Sequence, residues 1–221
     1  MKANNWLGLF LLDAILHLAT TVYSMPALNL ITKPLLMVLL GVYFVSKVGN
    51  QNNKLKYLVI AALVGSWFGD TFLMFQESNS MFFILGLGSF LLAHIAYISV
   101  FRKFERVINN GWSFVIIIIS MCYTAGLLYL LWPGLAEMTI PVLLYAFVLT
   151  VMGAVGVIQN LKVNNLIIIG VVLFLISDSM VAYDKFVESF TSSRFLIMSS
   201  YISAQFLLIQ GLSTRILKIY K

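Results

Sequence analysis

Two carboxylates stand inside runs of residues otherwise apolar enough to lie in lipid: Asp70 in Gly69-Asp70-Thr71 and Asp178 in Ser177-Asp178-Ser179. A charge at membrane depth is costly, so an intramembrane acid marks a functional site by default. In a low-dielectric cavity the uncharged acid gains over the carboxylate, and two neighbouring carboxyls can hold one proton between them. A protonated acid beside a carboxylate is a general acid/base pair suited to opening an acetal-like or enol-ether bond through an oxocarbenium-like state. The structural alternative is that each Asp caps a broken helix or bonds Ser and Thr across helices.

Further polar residues fall at helical spacing around these acids. His94 and Tyr97, at i and i+3, share a face with Phe90 and Phe101. His94 is placed to orient a water, donate to Asp70 or bond a substrate oxygen, against the simpler role of a packed histidine. Tyr201 and Gln205 form the corresponding face near the end of the chain, as substrate-binding groups or interhelical partners. Lys33, just before Pro34, is expected at the outer mouth, meeting a lipid phosphate as a point charge or snorkelling to the interface. Asp13 and His17, at i and i+4, read as a local hydrogen-bonded pair. Gly65-Ser66-Trp67-Phe68-Gly69 is a GxxxG run and Gly86-Leu87-Gly88 adds small residues; both favour close helix packing beside the site.

The elements that must position these groups are membrane helices. Of 221 residues, 61% are hydrophobic and 10% charged, with mean hydropathy +0.99, which makes this an integral membrane protein. Eight runs long enough to cross a bilayer lie near Asn5 to Tyr23, Ile31 to Ser46, Tyr57 to Phe75, Met81 to Phe101, Trp112 to Leu131, Ile140 to Ile158, Leu166 to Lys185 and Phe195 to Leu217. The first is not read as a signal peptide, because Asp13 and His17 interrupt it and no small-residue cleavage site follows. An even number of spans puts both termini on one side. Eleven Lys and Arg fall on that side and only Lys33, Lys185 and Arg194 on the other, so both termini are expected in the cytoplasm. The basic residues lie in short clusters between apolar runs, which excludes a nucleic-acid face. Cys122 alone supports neither a disulfide framework nor a Cys-rich metal site.

An internal repeat emerges from the numbered spans. Thr32-Lys33-Pro34-Leu35-Leu36 matches Thr139-Ile140-Pro141-Val142-Leu143, Pro34 to Asp70 is 36 residues, and Pro141 to Asp178 is 37. Ser89 to His94 lines up with Ser200 to Gln205. The fold expected is therefore a single all-α membrane domain of two parallel four-helix repeats, about 1–106 and 107–221, related by an axis along the membrane normal. Asp70 lies six residues before Gln76 and Asp178 six before Asp184, so each is expected about 9 Å below the outer end of its helix. At matching depth, the two acids could converge on one cavity. No P-loop, HExxH, GxSxG or group of three His is present to support ATP hydrolysis, zinc chemistry or serine hydrolysis by those motifs.

The ordered set Thr32-Lys33-Pro34, Gly69-Asp70, Gly86-x-x-x-Phe90-x-x-x-His94-x-x-Tyr97, Phe174-x-x-Ser177-Asp178 and Tyr201-x-x-x-Gln205 resembles the YhhN family of membrane proteins, which includes lysoplasmalogenases. Asp184 departs from the pattern, which carries Asn there. The resemblance implies hydrolysis of the vinyl-ether bond of a single-chain lysolipid to a fatty aldehyde and a glycerophospho-base, in a bacterial inner membrane. Asp70, Asp178 and His94 would be catalytic, and Lys33, Tyr97, Tyr201 and Gln205 would bind substrate. In this reading Asp178 is the acid, Asp70 is the partner of His94, and neither a metal nor an organic cofactor is needed. A proton-coupled transporter of a small solute or lipid is the alternative, since paired intramembrane acids in parallel repeats suit transport as well. A non-catalytic scaffold is a third reading, disfavoured by the cost of the buried acids.

Overall fold

The computed structural model describes residues 2–49 and 54–219; Lys221, counted above among the cytoplasmic charges, lies outside them. Eight α-helices account for almost all of the described chain: α1 (Ala3–Val22), α2 (Pro26–Val48), α3 (Lys54–Leu73), α4 (Ser80–Phe101), α5 (Asn110–Leu131), α6 (Thr139–Asn160), α7 (Asn165–Phe186) and α8 (Ser193–Ile219). There is no strand among the described residues. All eight are long and apolar enough to span a bilayer, so the protein is an integral, multi-pass membrane protein.

The helix ends follow from local chemistry. Pro26 opens α2 within its first turn, where a missing N–H costs nothing. The side chains of Asn109 and Asn164 accept backbone N–H groups at the starts of α5 and α7. Gly49, at φ +75°, closes α2 in a conformation that side-chain-bearing residues avoid. The early start of α2 corrects the short second span expected from the sequence: the helix has 23 residues, five of them before Ile31. Ala27, Leu28, Asn29 and Leu30 continue the helical run that Pro26 begins, despite polar Asn29.

The chain forms two compact units, Met1–Tyr97 with Ile209–Lys221, and Ile98–Leu208; the divisions fall inside α4 and α8. The first unit buries Phe10, Leu36, Leu40, Phe44, Val59 and Ala62, with Leu212 and Ile216 from the end of α8. Close approach of α3 to α4 depends on glycine. A Cβ on Gly65 would stand 3.0 Å from the Ser89 carbonyl oxygen, and one on Gly69 would stand 2.5 Å from the Phe90 ring. Gly86 in turn receives Leu73, whereas Gly88 faces open space. The second unit buries Leu149, Met152, Ile167, Val171, Phe174 and Leu208. Gly156 lies against Val171 and Phe101, and Gly170 admits the backbone of Ala204 and Leu208, which seats α7 on α8.

Candidate active site

In the first unit the polar groups gather where α1, α2 and α3 meet. Because α2 starts at Pro26, Lys33 lies seven residues into the helix, about 10 Å from its first turn. Its Nζ lies 3.9 Å from Asp70 Oδ1, with the two side chains 18% and 4% exposed. A carboxylate this deep needs a counter-ion, and the preceding helix supplies one. Thr32, the neighbour of Lys33, meets His17: His17 Nδ1 and Thr32 Oγ1 are 2.8 Å apart across α1 and α2. One turn toward the helix ends, Thr20 donates to Asn29 Oδ1 at 2.7 Å. The expected Asp13–His17 hydrogen bond does not form. His17 turns to α2 instead, and Asp13 Oδ2 and His17 Nε2 are both buried without a hydrogen-bond partner.

His94 and Tyr97 are fully buried on α4, and Phe90 and Phe101 share their buried face, as the spacing expects. The glycines of α3 bring that helix against Phe90 and Ala93, the residues flanking the His94 turn.

In the second unit Asp178 Oδ2 accepts a hydrogen bond from the Tyr145 hydroxyl, which α6 presents one turn after Pro141. Ser177 Oγ donates to the Ile197 carbonyl at 3.1 Å and ties α7 to α8 at the same level. On α8, Gln205 Nε2 donates to the Tyr201 hydroxyl at 3.3 Å, and the Tyr201 ring meets Phe174 edge-on, with centroids 5.6 Å apart at 84°. Tyr201 is also within electrostatic reach of Tyr145. The structure thus brings together Asp178, Tyr201 and Gln205 of the expected residues and adds Tyr145, which the sequence reading missed. A lone tyrosine in an apolar span reads as an interface aromatic. Its one signal was its place in the stripe following Pro141.

The two acids lie at different distances from the ends of their own helices. Asp70 is three residues from the end of α3 at Leu73, and Asp178 is eight from the end of α7 at Phe186. After Leu73 the chain tightens into successive turns, with Ser78 N–H donating to the Phe75 carbonyl, whereas α7 continues unbroken past Asp184. Asp184 itself is half-buried, and its Oδ1 has no hydrogen-bond partner.

Chemically, the second unit holds a carboxyl oriented by a phenol, with an amide and a second phenol close by. The first unit holds a carboxylate neutralised by an ammonium. Among the described residues no three His, Cys, Asp or Glu side chains group as metal ligands.

A mycobacterial protein named lysoplasmalogenase (Mycobacterium bovis) is 33% identical over 132 residues, 58% of this chain and 50% of its own length. The mouse protein named lysoplasmalogenase TMEM86B is 30% identical over 177 residues, 80% of this chain and 71% of its own. The bovine protein named lysoplasmalogenase TMEM86A is 31% identical over 162 residues, 68% of this chain and 62% of its own. The chain spans about half the length of the mycobacterial relatives it matches. No solved structure matches it. The YhhN family model matches residues 28–212, a stretch that contains both acids, the Lys33 counter-ion and the Tyr145–Asp178 pair, and the chain belongs to the YhhN family.

Proposed function

We propose that this chain is a membrane hydrolase that opens the vinyl-ether bond of a lysoplasmalogen-type lysolipid. The observation that carries the reading is the Tyr145–Asp178 pair: a carboxyl set in a membrane helix and aimed by a buried phenol. Relatives named lysoplasmalogenase support it.

The chemistry follows from the bond. Asp178, protonated, delivers its proton to the vinyl carbon remote from oxygen, which turns the adjacent carbon into an oxocarbenium. The carboxylate left behind, held by the Tyr145 hydroxyl, stabilises that cation and removes a proton from the attacking water. The resulting hemiacetal collapses to a fatty aldehyde and a glycerophospho-base, so one water is consumed and the acid regains its proton. Asp70, kept anionic by Lys33, is the second carboxylate of the proposal, and His94 belongs with it in the first unit. Lys33 is the counter-ion of Asp70 in this reading, and His94 stays its proposed partner in catalysis. Tyr97, Tyr201 and Gln205 are retained as substrate-binding groups, with Tyr201 within electrostatic reach of Tyr145 and bonded to Gln205.

The same reading places both termini in the cytoplasm of a bacterial inner membrane and treats the two halves as copies of a four-helix unit. The test is direct. Purified protein in detergent, given a lysoplasmalogen and no ion gradient, is expected to release aldehyde, and Asp178→Asn to lower the rate by about a thousandfold or more, as for loss of a general acid. Full activity in Asp178→Asn would end this mechanism, and Asp70→Asn measures separately whether the second carboxylate takes part.

A further inference from the structure

We infer that Tyr123 and Ser179 are positioning residues for Asp178: the bond between them fixes the rotation of α7 at the acid, and with it the direction of the carboxyl. The geometric half of that statement stands by itself, and its consequence for turnover rests on the hydrolase reading above.

Apolar packing seats α7 only as far as the acid. The buried residues of the helix are Ile167, Gly170, Val171, Phe174 and Ser177, a stripe at spacings of three and four. Gly170, Phe174 and Ser177 carry that stripe onto α8, through Leu208, Tyr201 and Ile197. From Asp178 to Phe186 no residue is buried. Where the stripe ends, packing no longer resists turning or bending of the helix, and polar side chains take over.

Three consecutive residues do so, each toward a different helix. Successive side chains stand about 100° apart around a helix of 3.6 residues per turn, so Ser177 and Ser179 emerge on roughly opposite sides of α7 with Asp178 between them. Ser177 Oγ donates to the Ile197 carbonyl of α8 at 3.1 Å, Asp178 accepts from Tyr145 of α6, and Ser179 Oγ lies 2.7 Å from the Tyr123 hydroxyl of α5. Ser179 also donates to the Leu175 carbonyl one turn back at 2.7 Å, which holds its side chain in the rotamer that meets Tyr123. With tethers on both sides, α7 cannot turn at Asp178 without breaking one of them.

The partner helix depends on the same bond. α5 buries only Ser113 and Leu131, near its two ends. Its middle is tied to its neighbours by two adjacent residues, Tyr123 to Ser179 of α7 and Thr124 to Thr150 of α6. Tyr123 is exposed, but in lipid no water competes for its hydroxyl, so the bond persists where one at an aqueous surface would exchange.

Two measurements on the full chain in detergent test this. The first needs no turnover: the rate at which a hydrophobic carbodiimide modifies the Asp178 carboxyl, followed by mass spectrometry. Tyr145→Phe, which removes the carboxyl's own bond to α6, sets the scale, and Tyr123→Phe and Ser179→Ala are each expected to give a severalfold rise. The second is aldehyde release from a lysoplasmalogen. Each variant is expected to lower kcat about tenfold, less than the roughly hundredfold that a 1 Å misplacement can cost, with KM unchanged, since the aim of the acid and not the seat of the lipid is altered. The double variant is expected to match the singles, because all three lack the same bond. Ser179→Thr keeps the hydroxyl and is expected to recover turnover. A merely structural role would lower the melting temperature and leave kcat of the folded protein unchanged. Modification rates unchanged in both variants while Tyr145→Phe reacts faster, or losses of kcat that multiply in the double variant, would overturn the proposal. Faster modification in the variants, with no aldehyde released by the unaltered chain, ends the hydrolase reading and leaves the positioning of Asp178 standing.

Discussion

A buried carboxylate beside an ammonium and a half-buried carboxyl beside a phenol respond differently to loss of the partner. Lys33→Met removes the counter-ion of a carboxylate that is 3% exposed, at a cost of about 3 kcal/mol. The melting temperature in detergent is expected to fall, and adding Asp70→Asn to recover most of the loss, because the double variant has no charge left to solvate. Tyr145→Phe removes one neutral hydrogen bond, worth about 1 kcal/mol of stability. Its larger effect is expected on aldehyde release, about tenfold or more, since the phenol fixes the direction of the acid; near-normal turnover would deny it that role. At this scale the acids themselves were legible, because a charge inside an apolar run has few explanations. Their partners were not. Lys33 and Asp70 are 37 positions apart and Tyr145 and Asp178 are 33, and nothing in either separation names the pairing.

Helices meet where their side chains permit, and α3 meets α4 through glycine. Gly69→Ala puts a methyl group into the Phe90 ring and is expected to destabilise by about 1–3 kcal/mol, the range for overpacking. Gly88→Ala, two residues past the equally small Gly86, enters open space and is expected to be neutral or slightly stabilising in the same melting assay. Gly134→Ala would drive its methyl into the Phe186 backbone carbonyl at the end of α7, where no side-chain rotation can relieve it. It is expected to be the most damaging of the three. The GxxxG run announced such packing in advance. The start of α2 was less legible, since Asn29 and Pro26 look like loop residues, and it puts Lys33 seven residues inside the helix, beside Asp70.

For the molecule in its membrane, the checkable statement is its orientation. Counted by the eight spans read from the sequence, eleven of the fourteen Lys and Arg fall on the side expected for the termini, so a reporter that matures only in the cytoplasm, fused after Lys221, is expected to be active. An inactive fusion with full expression would reverse the topology. The outward surface agrees with lipid as its solvent: Leu12, Ile15, Phe114 and Tyr129 are more than 60% exposed. The sequence by itself determined the eight spans, the two intramembrane acids, the glycine seam and the family, because each depends on local composition or on short ordered motifs. Only the tertiary structure decided that Asp70 answers to Lys33, that Asp178 answers to Tyr145, and that His17 leaves Asp13 for Thr32. The physical reason is common to all three. In a medium without water a polar side chain must find its partner on whichever helix packs beside it, and spacing along one helix cannot say which helix that is.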